Sequence, residues 1–319
     1  MTRGARSVAL AAVLLVIALG AFWIVTLPSV VPAAALPPRT PDLDNGRTMF
    51  AIGGCAACHA VPSDDPDKVD RTRLGGGLAL KTPFGTFFAP NISPDSKDGI
   101  GNWSEANFVT ALWNGTSEHG TNLYPVFPYT SYRLMQLNDV RDLFAYLRTL
   151  PPVSHRSRRH ELSFPYNERR LLGGWKLLFL HGGPYVPDPT KSAQWNRGAY
   201  LANGPGHCGE CHSPRDALGG IIESQRYAGG PAPDGQSWVP NITPAGLGRS
   251  SQGDVVWTQA DIAHFLGDGM TPSGDFAGST MADVIRNTAQ LGDEDRAAIA
   301  AYIFSLPPRQ GPVPPAKKN

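Results

Sequence analysis

Cysteine is scarce in this 319-residue chain: there are four, confined to two short stretches, with none left over. That excludes a disulfide framework, and no thiols remain for a separate metal site. An excess of charge of one sign is also missing. Twenty-eight Lys and Arg against 27 Asp and Glu leave a formal net charge of +1, which removes the case for a nucleic-acid partner. No acid–base pair or nucleophile constellation stands out, and isolated carboxylates such as Asp98 and Glu118 read as solvated. Glycine (35) and proline (30) are abundant, and 41% of residues are hydrophobic. That balance suits short helices joined by long ordered loops, and the length allows two domains.

All four cysteines fall in Cys55-Ala56-Ala57-Cys58-His59 and Cys208-Gly209-Glu210-Cys211-His212. Cys-x-x-Cys-His is the attachment signature of c-type haem. Residues i and i+3 of a helical turn share a face, so both thiols reach the two vinyl groups of one porphyrin, and the following histidine can turn onto the iron. A zinc ribbon would need a second pair close by, whereas these pairs lie 153 positions apart (55 to 208). A thioredoxin-type motif would follow a strand in a βαβ pattern, which the sequence does not show. Two covalently attached haem c groups are expected, with His59 and His212 as proximal iron ligands.

The chain opens with Arg3 and Arg6, then an apolar run from Val8 to Leu27 free of charge. The run is long enough to span a bilayer, and the arginines before it favour a cytoplasmic N-terminus. Residues 1–27 therefore read as a transmembrane anchor, with a signal sequence cleaved near Ala33-Ala34-Ala35 as the alternative. Either way the remainder is exported, which places it on the periplasmic face of the inner membrane or free in the periplasm. A proline-stiffened tether over 28–41 follows.

A first domain is expected over 42–152. Asp44 is a candidate cap for a helix through Met49 and Phe50, and Ser104 for one carrying Phe108 and Leu112 and stopped by Gly115. A last helix opening at Asn138 or Asp139 carries Leu143, Tyr146, Leu147 and Leu150 on one face before Pro151-Pro152. The second half repeats these landmarks. Pro240-Asn241-Ile242 answers Pro90-Asn91-Ile92. Trp257, Thr258, Ile262, Leu266 and Gly269 answer Trp103, Ser104, Phe108, Leu112 and Gly115. Ile299, Tyr302, Ile303 and Leu306 answer the last helix. Offsets of 150 to 156 around the clamp offset of 153 point to a second domain of the same fold over 197–308.

Between them, 153–196 forms a basic connector with Arg156, Arg158, Arg159, His160, Arg169 and Arg170, then an apolar stretch from Leu171 to Leu180. It reads as a linker with a solvated basic face and a helix across the domain junction, the alternative being a docking surface for a partner or for anionic lipid. A disordered tail is expected over 309–319.

A low-spin electron-transfer haem takes a second axial ligand, and methionine raises its potential. Met281, in the segment read as a loop before the final helix, is the distal candidate for the second haem; Met270, at a helix stop, is weaker. In the first domain Phe127 stands in Tyr124-Pro125-Val126-Phe127-Pro128-Tyr129, where a ligand methionine would be expected. Met135 is the thioether nearby, but it occupies the slot of Leu291, so ligand and core filler both remain open. Met49 reads as core, and His119 is a remote substitute.

These stretches resemble the membrane-anchored cytochrome c subunits of bacterial alcohol, aldehyde and gluconate dehydrogenases, and the cytochromes that accompany molybdenum hydroxylases. The resemblance is carried by Cys55–His59, Thr82-Pro83-Phe84-Gly85-Thr86, Ala89 to Pro94, Gly99 to Ser104 and Tyr124 to Tyr129. In the second half it is carried by Trp195 to Leu201, Gly206 through Arg215, and Pro240-Asn241-Ile242-Thr243. It implies an all-α protein with two tandem class I cytochrome c-like domains behind a transmembrane helix. It also implies a relay from a periplasmic dehydrogenase or molybdenum hydroxylase to quinone, another cytochrome or a terminal oxidase, with His59 and His212 proximal and Met281 distal. The chain departs from the pattern twice: those subunits commonly carry three clamps, and they often have methionine at the place of Phe127. The alternative function is a dihaem peroxidase-like enzyme with an open haem position in the first domain.

Overall fold

The computed structural model of the chain describes residues 2–65, 68–232, 235, 237–248 and 256–314. Helix α1 (Arg3–Val25) runs 23 residues, apolar from Val8 onward, and buries none of them. The first half then holds α2 (Leu43–Ile52), α3 (Cys55–His59), β1 (Ala79–Thr82), β2 (Gly85–Phe88), α4 (Glu105–Asn114), α5 (Tyr129–Tyr132) and α6 (Leu137–Leu147). The connector contributes β3 (Glu161–Leu162) and α7 (Leu172–Phe179). The second half holds α8 (Ala193–Asn203), α9 (Cys208–His212), β4 (Gly230–Pro231), β5 (Trp238–Val239), α10 (Pro244–Leu247), α11 (Gln259–Asp268), α12 (Ser279–Thr288) and α13 (Asp293–Phe304).

The chain is mostly helical, but the expectation of an all-α fold needs correction. β1 and β2 form an antiparallel hairpin paired from Ala79↔Phe88 to Thr82↔Gly85, and β3 adds to it through Thr86↔Glu161. The two-residue Pro83-Phe84 turn closes it, and Gly85, at φ +126°, brings β3 into contact that a side chain would block. The smaller β4–β5 ladder is in the second half.

In both halves the helix before the clamp crosses the last helix of that half, α2 on α6 and α8 on α13. A glycine makes each crossing possible. A Cβ on Gly46 would lie 2.2 Å from the Asp142 carbonyl oxygen, and one on Gly198 would lie 1.8 Å from that of Ala298. An ion pair supports each crossing. Arg39 of the tether meets the buried Asp142 at 2.5 Å, and Arg197 holds Asp295 through two bonds of 2.7 and 2.8 Å. Ser104 and Thr258 cap α4 and α11 in matching capping boxes with Asn107 and Asp261. Two helix starts differ from expectation. The cap of α2 is Asp42, whose carboxylate accepts from the amides of Asp44 and Asn45, and α6 begins at Leu137.

The connector is stitched to the first half. His160 Nδ1 accepts from the Phe88 amide at 3.1 Å, and its ring packs on Phe87 and Tyr124. Arg158 stacks over Phe88, while Arg156 and Arg159 stay exposed. Past Leu306 the chain remains attached. Asn241 donates to the Arg309 carbonyl and Arg309 to those of Glu223 and Arg226, so order runs into the segment expected as tail; residues 315–319 lie outside the described residues.

Two outcomes follow for stability. Gly198→Ala should drive a methyl into the α13 backbone and destabilise by about 1–3 kcal/mol, the usual range for overpacking, whereas Gly183→Ala, with open space around it, should be neutral; equal melting temperatures for the two would refute the close crossing. Burial, reinforced by Arg169, lowers His160 to about 4. The unfolded chain therefore binds the extra proton between about pH 6.5 and 4, and stability should fall as pH drops through that window. His160→Gln should flatten that part of the pH–stability curve, and an unchanged curve would remove His160 as its source.

Candidate haem sites

Each clamp is a single helical turn entered from the left-handed region. Gly54 precedes α3 at φ +60°, and His207, at the corresponding place, precedes α9 at φ +38°. A non-glycine residue there is strained, and His207 is held by its surroundings. Its ring lies 5.6 Å from that of Tyr132, and Nε2 is 3.3 Å from the Gly53 carbonyl oxygen.

The turn places the paired thiols on one face with the imidazole beyond them. Burial pushes Cys55 up to about 12, Cys58 to about 11 and Cys208 to about 12, and it raises Cys211 as well.

The two clamp histidines are built alike. His59 Nδ1 lies 2.8 Å from the Pro90 carbonyl oxygen and His212 Nδ1 2.9 Å from that of Pro240. Burial lowers both histidines, so each ring is neutral; its Nδ1–H donates to the carbonyl and the Nε2 lone pair is left free for a metal. This explains the repeated Pro-Asn-Ile landmark. Asn91 donates to the carbonyls of Val153 (2.7 Å) and His155 (3.0 Å) and accepts from the Ser93 amide. Asn241 does the same with Arg309 (2.8 Å) and Thr243. The asparagine thus pins the loop whose proline carbonyl aims the imidazole, a role that spacing alone does not disclose.

Met281 lies on α12 rather than in a loop, partly exposed against the core. Its counterpart in the first half is fixed by hydrogen-bond register. The bridge Thr116↔Asn122 matches Met270↔Phe276, and the bond from the Leu123 amide to Gly115 matches that from Ala277 to Gly269. All of these correspond at an offset of 154, and the same offset carries Phe127 onto Met281. Phe127 is also partly exposed, 5.4 Å from the Tyr132 ring. Met135 is fully buried; its amide bonds to the Tyr132 carbonyl as that of Leu291 bonds to Thr288. Met49 is fully buried in the core, Met270 is exposed, and His119 is exposed beside Glu118.

The two clamps face each other. Thr130 and Ser131, at α5, donate to Glu210 inside the second clamp at 3.0 and 2.7 Å, while Arg71 reaches Asn287 on α12 at 2.5 Å. Burial alone would raise Glu210, but Arg215 and the Ser131 hydroxyl outweigh it and hold the carboxyl below its ordinary value. After burial, the next contribution to the rise of Cys58 comes from Cys211 of the other clamp. The donor set of each half, two thiols and an imidazole nitrogen left free by the proline carbonyl, fits an iron porphyrin.

A cytochrome c family model matches residues 43–151. The chain is 49% identical over 269 residues to a diheme cytochrome c-type protein of Cereibacter sphaeroides, covering 84% of this chain and 87% of that one. It is 41% identical to a nicotinate dehydrogenase subunit of Pseudomonas putida, covering 83% of this chain, and 37% identical to the fructose dehydrogenase cytochrome subunit of Gluconobacter japonicus, covering 86%. It spans about a fifth and about half of the length of those two relatives (21% and 54%). The protein is a c-type cytochrome. Within that class it belongs to the family of dihaem cytochromes c and cytochrome c subunits of bacterial dehydrogenases.

Proposed function

We propose that the chain is a membrane-anchored dihaem electron carrier of two tandem cytochrome c domains, 42–152 and 197–308. It accepts electrons from a periplasmic dehydrogenase or molybdenum hydroxylase and delivers them to quinone, another cytochrome or a terminal oxidase. The observation that carries this reading is the pair of facing clamps, each with its imidazole aimed by a proline carbonyl. When bound, haem supplies a one-electron couple; the protein sets its ligands, burial and docking. The names of the relatives support a dehydrogenase as donor.

Cys55, Cys58, Cys208 and Cys211 hold the porphyrins, and Nε2 of His59 and of His212 binds the iron. Met281 is the distal ligand in the second domain, where its thioether favours the ferrous state. In the first domain Phe127 takes that register and Met135 is sealed in the slot of Leu291, which supports a core role for Met135 and a distal face without a thioether. The same feature supports the second reading, a peroxidase-like use of the first haem.

Met281→Leu should lower the potential of one haem and remove one low-spin signal; an unchanged redox titration would exclude Met281 as ligand. Met135→Leu should leave the absorption and EPR spectra unaltered, whereas loss of a low-spin signal would make it the first haem's ligand. Absence of peroxide turnover in the unmodified protein fits the carrier, and turnover would establish the second reading.

A further inference from the structure

Helix α7 joins three parts of the molecule at one place. Lys176 Nζ donates to the Gly115 carbonyl and to Asn122 Oδ1, both at 2.7 Å, where α4 ends in the first half. Trp175 Nε1 donates to the Leu218 carbonyl at 2.9 Å, and Phe179 covers Gly220, where a Cβ would stand 2.0 Å from the ring, in the second half. On its third side α7 meets the end of α1. A Cβ on Gly173 would be 2.4 Å from the Thr26 carbonyl oxygen, and one on Gly174 would be 3.2 Å from the Phe22 ring.

Just before α7, the Arg170 guanidinium donates to the carbonyls of Trp23 and Thr26 and stacks over the Trp23 ring at 4.2 Å. These carbonyls lie at the negative end of the helix dipole and lack an intrahelical amide partner, and a cation is most favourable there. Thr26 is consequently 3% exposed, although α1 has no buried residue. The chain beyond it is also held: the Val31 amide donates to Thr110 Oγ1 at 2.9 Å, and Asn114 reaches the Ser29 carbonyl.

The 23 residues of α1 rise about 35 Å, enough to cross the hydrocarbon layer and end at its boundary. A helix packed on Phe22 and Thr26 lies at that boundary. Leu171, Leu177 and Leu178 are about half exposed, and 171, 174 and 178 share the face that touches Phe22. Leu218, which accepts the Trp175 bond, is exposed beside them. Exposed leucines beside a tryptophan, at the end of a long apolar helix, match the composition of a membrane interface.

We infer that α7 is an interfacial membrane helix: Leu171, Leu177 and Leu178 enter the phospholipid boundary where α1 emerges. The haem-bearing halves are thereby held at a fixed height and orientation, not suspended on a free tether. The inference rests on α1 being a retained anchor, and it adds a second membrane contact from the connector.

The test uses the full-length haem-loaded chain in phosphatidylcholine–phosphatidylglycerol nanodiscs, with single nitroxide labels at Leu178→Cys, Ile24→Cys and Asp293→Cys. The unsubstituted chain is the blank, since its thiols are engaged in the clamps. Leu178 is exposed, so its replacement leaves the fold intact; Leu171→Cys provides a second reading. The label at 178 should show an oxygen-to-nickel-chelate accessibility ratio severalfold above that at 293 and close to that at 24. A ratio at 178 and 171 equal to that at 293, with 24 in lipid, would overturn the interfacial helix and leave the anchor standing. An intact mass lacking residues 1–35, or an aqueous label at 24, would overturn the anchor and the inference with it.

Discussion

The proposed haem sites depend on one hydrogen bond made twice, from a histidine Nδ1–H to a proline carbonyl. Without it the imidazole would be free to rotate and to exchange tautomers; with it, one nitrogen is committed and the other presents its lone pair in a fixed direction. The bond is only as rigid as the loop that supplies the carbonyl, so Asn91 and Asn241 are part of the same device. In each half the asparagine ties its loop to chain that has already passed the last helix. The closing segment of each half is therefore coupled to its clamp histidine.

The halves then place these devices face to face. The contacts between them are polar and specific: hydroxyls of α5 on Glu210, Arg71 on Asn287, His207 against Tyr132. The boundary brings the clamps together, the arrangement an internal relay requires. Helix α7 braces the assembly from outside, since it bonds to both halves and packs against the end of α1. Its two successive glycines allow that approach, and the leucines beside them are left uncovered.

The chemistry is legible in the sequence because it depends on short local patterns. Clamp spacing, the capping serine and threonine, and the repeated apolar faces are all set within a few residues. What depends on distant partners is hidden. Gly46 and Gly198 look ordinary until another helix backbone is seen against them, and Asn91 and Asn241 show only as landmarks until their carbonyl partners lie some 60 residues downstream. Pairing with the connector decides the strands around Gly85, beyond reach of a reading based on helical periodicity. Met281, read as part of the loop before the final helix, lies on a helix of its own, Ser279–Thr288. The register of Phe127 on Met281 is visible only roughly from spacing and becomes definite through the matching bridges.

The central claim is that each half carries an iron porphyrin bonded through its paired cysteines. Intact mass of the acid–acetone-extracted, denatured protein tests it most directly. The account predicts a coloured chain heavier than its polypeptide by two porphyrins, with all four thiols unreactive to alkylation. A colourless chain at the bare polypeptide mass, with four alkylatable thiols, would contradict it.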